Sequence, residues 1–114
     1  MAGKYNFTIE QGTTFAFSVS WKDDTDALID LTGYTARMQL RYGSNTGTVA
    51  IELTTENLGI DIDVLSSTIT INITAVETSE LEIKPCVYDL EMVKGENVTR
   101  LLEGKVKISG EVTK

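Results

Sequence analysis

Among the residues of this 114-residue chain, a few groups have the types and spacing from which chemistry could be built. Asp23-Asp24-Thr25-Asp26 gathers carboxylates in one short stretch, and Ca2+ is a hard cation that takes oxygen ligands. The stretch lacks the Gly and the distant Glu of an EF-hand loop, so a solvated turn is its expected state. Asp61 and Asp63 fall on one face of a short strand, about 7 Å apart. A carboxylate pair at that spacing can share acid–base work. Neither an apolar wall to raise a pKa nor a sugar-stacking aromatic cluster lies nearby, and edge charges that discourage sheet-to-sheet association are expected instead. Cys86 is the single cysteine, and the chain has no histidine, which removes the commonest general base, zinc ligand and activator of a nucleophile. A buried, inert thiol is expected at Cys86, and no catalytic, cofactor-binding or metal-binding residues are assigned. The chain is expected not to be an enzyme.

Cationic and aromatic groups are the remaining candidates. Ten Lys and Arg stand against seventeen Asp and Glu, a net charge of −7. Such a balance gives no general attraction to nucleic acid or anionic lipid, and neither is expected as a partner. Phe15, Phe17 and Trp21 alternate with small polar residues and read as core, not as a base-stacking platform. Arg37, Gln39 and Arg41 alternate with Ala36, Met38 and Leu40, which makes them the outer face of a half-buried strand and the candidate docking face. Together with Arg100 the two arginines would form a small basic strip, better matched to an acidic protein partner than to a phosphate backbone.

The elements that must position these groups are short strands. Period-2 alternation recurs at Tyr5–Ile9, Phe15–Trp21, Ala36–Arg41, Val49–Leu53, Ile60–Asp63, Thr68–Thr74 and Cys86–Met92. Polar or Gly-containing turns separate them, among them Asp30-Leu31-Thr32-Gly33, where Gly33 is the candidate turn glycine. Thr74-Ala75-Val76-Glu77 fits a capping box for a helix over residues 75–81, which Pro85 forbids from continuing. Lys94-Gly95-Glu96-Asn97 reads as a hairpin loop. Beyond it the alternation slips: keeping Val98, Leu102, Val106 and Ile108 inward also turns Arg100 inward and leaves Leu101 outside. Either a bulge near Glu103-Gly104 resets the register, with Gly104 as the bulge glycine, or Arg100 is a structural arginine, buried at its stem and paired with Asp89 or Glu103. About seven or eight strands at roughly ten-residue spacing predict an all-β, immunoglobulin-like antiparallel β-sandwich with one short helical crossover. Residues 1–114 are expected to form a single domain, with residues 1–4 and 110–114 as flexible or attachment arms. The start has no apolar h-region of a signal peptide, and the sequons at Asn6, Asn72 and Asn97 are taken as chance matches.

Several of these stretches resemble one family. Asp30-Leu31-Thr32-Gly33-Tyr34-Thr35-Ala36-Arg37-Met38-Gln39-Leu40-Arg41 is similar to a segment of small virion proteins of tailed bacteriophages. Val87-Tyr88-Asp89-Leu90-Glu91-Met92, then Val98–Gly104 and Glu111-Val112-Thr113, resemble their closing hairpin, and Phe7–Phe15 their first strand and turn. Most of the chain is thereby similar to the N-terminal immunoglobulin-like domain of phage baseplate upper proteins. The resemblance implies a non-enzymatic structural component of a tailed-phage virion, assembled in the bacterial host cytoplasm. Such a module would dock on the tail, baseplate or neck in multiple copies and anchor fibres. Its partners would be other virion proteins. Alternatives are capsid decoration, or a carbohydrate-binding module for host adhesion that would use Tyr5, Tyr34 and Tyr42.

Overall fold

The fold was obtained as a computed structural model that describes residues 3–112. Two sheets pack face to face. The strands are β1 (Gly3–Lys4), β2 (Phe7–Glu10), β3 (Phe15–Ser20), β4 (Thr35–Tyr42), β5 (Val49–Thr54), β6 (Ile60–Asp63), β7 (Thr68–Ile73), β8 (Cys86–Lys94) and β9 (Asn97–Ser109), with helix α1 (Ala75–Ser79) between β7 and β8. The smaller sheet runs β3-β7-β6, and the larger β9-β8-β4-β5, with β1 and β2 both on the outer edge of β9. This division, with β3, β6 and β7 in one sheet and the remaining strands in the other, is that of an immunoglobulin-type sandwich.

The apolar alternation places the core. Ala36, Met38 and Leu40 of β4, Leu90 and Met92 of β8, and Ile69, Ile71 and Ile73 of β7 are all buried and face one another between the sheets. Phe7, Phe15, Phe17 and Tyr88 add a ring cluster in which Phe7 lies 4.9–5.1 Å from the other three centroids. Cys86 belongs to this core, where burial raises its thiol pKa.

Three features depart from the expected register. β1 and β2 pair with β9 in parallel, whereas every other pair of strands is antiparallel. Gly3 and Lys4 are therefore no free arm but a strand opposite Leu102 and Glu103. Residues 1–2 and 113–114 of the expected arms lie outside the described residues. Next, the bulge in β9 falls at Leu101: Leu90 faces Leu102, but Glu91 faces Arg100. Gly104 is not the bulge residue, and its φ is not left-handed. The extra residue returns Arg100 to the outer face and turns Val98 outward with it, leaving Val98 49% exposed. Last, a second shift between Leu40 and Arg41 sets Val49 opposite Arg41, so Val49 also leaves the inner row.

Gly33 does occupy the left-handed region, at φ 83°. Asp30 Oδ1 accepts from both the Thr32 backbone N–H (3.0 Å) and the Thr32 hydroxyl (2.7 Å), which fixes the turn that launches β4. The expected helix is shorter than residues 75–81, but its capping box is complete: Thr74 accepts from the Glu77 N–H, and Glu77 accepts from the Thr74 N–H.

Candidate functional site

The outward residues of β4, β8 and β9 meet on one surface because the strands are neighbours in the order β9-β8-β4. Register sets them in rows across the sheet. One row runs Arg100, Glu91, Arg37; the next runs Lys4, Glu103, Asp89, Gln39, Glu52; a third runs Lys105, Val87, Arg41. Rows are about 7 Å apart and strands about 4.8 Å apart, so charged groups contact both along and across strands.

The candidate docking residues are thus brought together, but they are not free. Arg37 Nε donates to Glu91 Oε1 at 2.7 Å. Gln39 Nε2 donates to Glu52 Oε2 at 2.6 Å, and Gln39 Oε1 accepts from Arg41 at 2.8 Å. Arg41 gives a further bond to the Gly47 carbonyl at 2.9 Å, which ties it to the β4–β5 loop. Arg100 joins the same face, with Asp89 at 3.4 Å and Glu103 at 3.4 Å. Its head therefore pairs with both acids considered from sequence, and its side chain as a whole is 53% exposed. Exposed pairs of this kind contribute at most about 1 kcal/mol each, so their main effect is to hold the side chains in a fixed array.

A trough of about 700 Å³ lies over the Lys105 end of this array. Lys4 and Asn6 form one wall, Gly43-Ser44-Asn45 of the β4–β5 loop the other, and Asp89 and Glu103 line it between them. Burial beside Glu91 and Glu103 raises the Asp89 pKa, an effect that Arg100 and Arg37 only partly offset. Gly104 matters here for space. A Cβ at this position would collide with the Tyr5 carbonyl, so glycine allows the edge strand to approach β9. Tyr88 reaches the same point from within, its hydroxyl donating to the Tyr5 carbonyl at 2.6 Å. Asn6 Oδ1 accepts from the Lys105 N–H at 2.8 Å, where the edge strand breaks between β1 and β2.

Sequence reasoning missed Lys4, Lys105 and the β4–β5 loop as parts of this surface. Each strand's outward charges are legible from alternation, but which strands lie side by side is not. The other candidates stay apart from it. Asp23 Oδ1 accepts from Thr25 N, Thr25 Oγ1 and Ala27 N, bonds that lower its pKa and organise a turn. Among the described residues no three His, Cys, Asp or Glu side chains converge as a metal site. Asp61 and Asp63 face Thr70 and Thr68 at the edge of the smaller sheet. The three tyrosines do not share a platform: Tyr34 packs edge-on to Trp21 before β4 begins, Tyr42 ends β4, and Tyr5, 47% exposed, sits beside β9.

No protein-family model and no curated protein matches this sequence.

Proposed function

We propose that this chain is a non-enzymatic structural module of a tailed-phage virion, held in place by protein–protein contacts at the outer face of its larger sheet. One observation carries the reading. The stretches that resemble the phage domains, Asp30–Arg41 and Val87–Gly104, fold into β4 and the β8–β9 hairpin, which are adjacent in one sheet. Residues far apart in sequence thereby build a single concave surface, with one end of the charged array on its floor.

Docking on a symmetric assembly repeats one contact many times, so a weak contact per copy is sufficient for a stable shell or ring. Placement at the tail, baseplate or neck is the primary reading, and decoration of the capsid is the alternative within the same class. Mass spectrometry of purified particles should find this chain in many copies per virion. Particles that contain none would overturn the proposal. Gold labelling of the protein in micrographs then separates tail from head placement.

A further inference from the structure

The trough departs in charge from the rest of the molecule. Four cations, Lys4, Arg41, Arg100 and Lys105, line it against two acids, Asp89 and Glu103, in a chain of net charge −7. The acids sit centrally in their row, while Lys4, Lys105 and Arg41 stand around them. Arg100 is engaged by both acids, but among the described residues no carboxylate lies within 4.0 Å of Lys4, Lys105 or Arg41. Arg41 donates to the Gly47 carbonyl and to Gln39 Oε1, and three of its five guanidinium N–H groups remain for a carboxylate. Lys105 and Arg41 flank Val87 from the two neighbouring strands, about 10 Å apart by strand spacing.

We propose that this trough seats an extended acidic segment of a partner protein, whose carboxylates pair with Lys4, Lys105 and Arg41 around the Asp89–Glu103 centre. The inference rests on the docking reading above and names the partner's chemistry. A rim of cations around two fixed acids suits carboxylates that are spaced along a chain. A uniformly charged polyanion would have to set phosphates against Asp89 and Glu103. The aromatic ring in the lining, Tyr88, is only 5% exposed, so the trough offers no base-stacking surface. Asn45 and Ser44 on the loop wall supply amide and hydroxyl groups for a partner's main chain. The net negative charge of the body repels an acidic partner at long range, but the Debye length of about 8 Å at physiological salt leaves the local cations in control at contact.

The test is an amide NMR titration of the whole chain with two dodecapeptides, alternating Glu-Thr and alternating Gln-Thr. The Glu-Thr peptide should shift the amides of Lys4, Asn6, Ser44, Asn45 and Lys105, with the Gln-Thr peptide binding at least about fivefold more weakly. The exposed double variant Lys4→Glu/Lys105→Glu should weaken the Glu-Thr peptide about tenfold or more, and Asp89→Asn should tighten it a few fold. A purely structural Asp89 would not move that affinity. Equal shifts with the two peptides would overturn the proposal, as would stronger shifts of the same amides by a dodecathymidylate. So would shifts that appear on concentrating the protein alone, which would assign the trough to a second copy. None of these results bears on whether the chain is found in particles, so the two proposals fail separately.

Discussion

Gly33 and Gly104 are required for opposite reasons, and the difference can be measured. At Gly33 the backbone is left-handed, and an added Cβ would meet only the Lys94 side chain at an ordinary 3.5 Å. The cost of Gly33→Ala is therefore conformational, about 1 kcal/mol, and Gly33→Asn should recover part of it because Asn tolerates this region. At Gly104 the φ is ordinary, and the obstacle is the Tyr5 backbone. Gly104→Ala should cost more, about 1–3 kcal/mol, and Gly104→Asn should be no milder than Ala. Urea denaturation of the four variants checks both statements; recovery by Asn at position 104 would contradict the steric account. Sequence singled out both glycines but supplied the right reason only for Gly33, where Asp30 and Thr32 mark the turn. A clash with a strand about a hundred positions away leaves no local trace.

Among the elements, those with local causes were legible and those with distant causes were not. The alternation in β4 and β8 and the capping box of α1 follow from neighbours in sequence. The bulge at Leu101 does not: the sequence points to Glu103-Gly104, where a glycine is at hand, and only the partner register in β8 places the extra residue at Leu101. Thr78 is a comparable case. It is fully buried in a five-residue helix too short to be stable alone, and its hydroxyl donates to the Thr13 carbonyl at 2.7 Å, docking α1 onto the turn between β2 and β3. Thr78→Val keeps the shape but leaves the Thr13 carbonyl without this donor, at about 1–2 kcal/mol. Thr78→Ser keeps the hydroxyl and loses one methyl, about 0.8 kcal/mol of burial. Serine should thus be the milder substitution in chemical denaturation; the reverse order would mean that packing, not the hydrogen bond, holds the crossover.

For the whole molecule, the charge pattern that defines the candidate surface also shapes how stability responds to pH. The chain has no histidine, so no side chain with an ordinary pKa titrates near neutrality. At acid pH the groups oppose one another. Asp23 and Asp30, lowered by bonds from Thr25 and Thr32, give stability above the ordinary 3.8 that is lost as pH falls through their folded values. Asp89, raised by burial, gains on protonation earlier in the descent, as pH falls through its folded value toward 3.8. The alkaline side is simpler because its shifts agree in sign. Burial raises the Cys86 thiol from 9.0 and pushes the Tyr88 phenol from 10.0 up to about 12. Between pH 10 and 12 the unfolded chain releases a tyrosine proton that the folded chain retains, so stability falls as pH rises through that window. Tyr88→Phe removes this linkage and also removes the hydrogen bond to the Tyr5 carbonyl, about 1 kcal/mol at neutral pH. The variant should therefore begin less stable than the native protein at pH 8 and lose stability more slowly above about pH 10, so that the two urea midpoints converge. Parallel declines would place the alkaline loss elsewhere in the molecule and remove Tyr88 as its source.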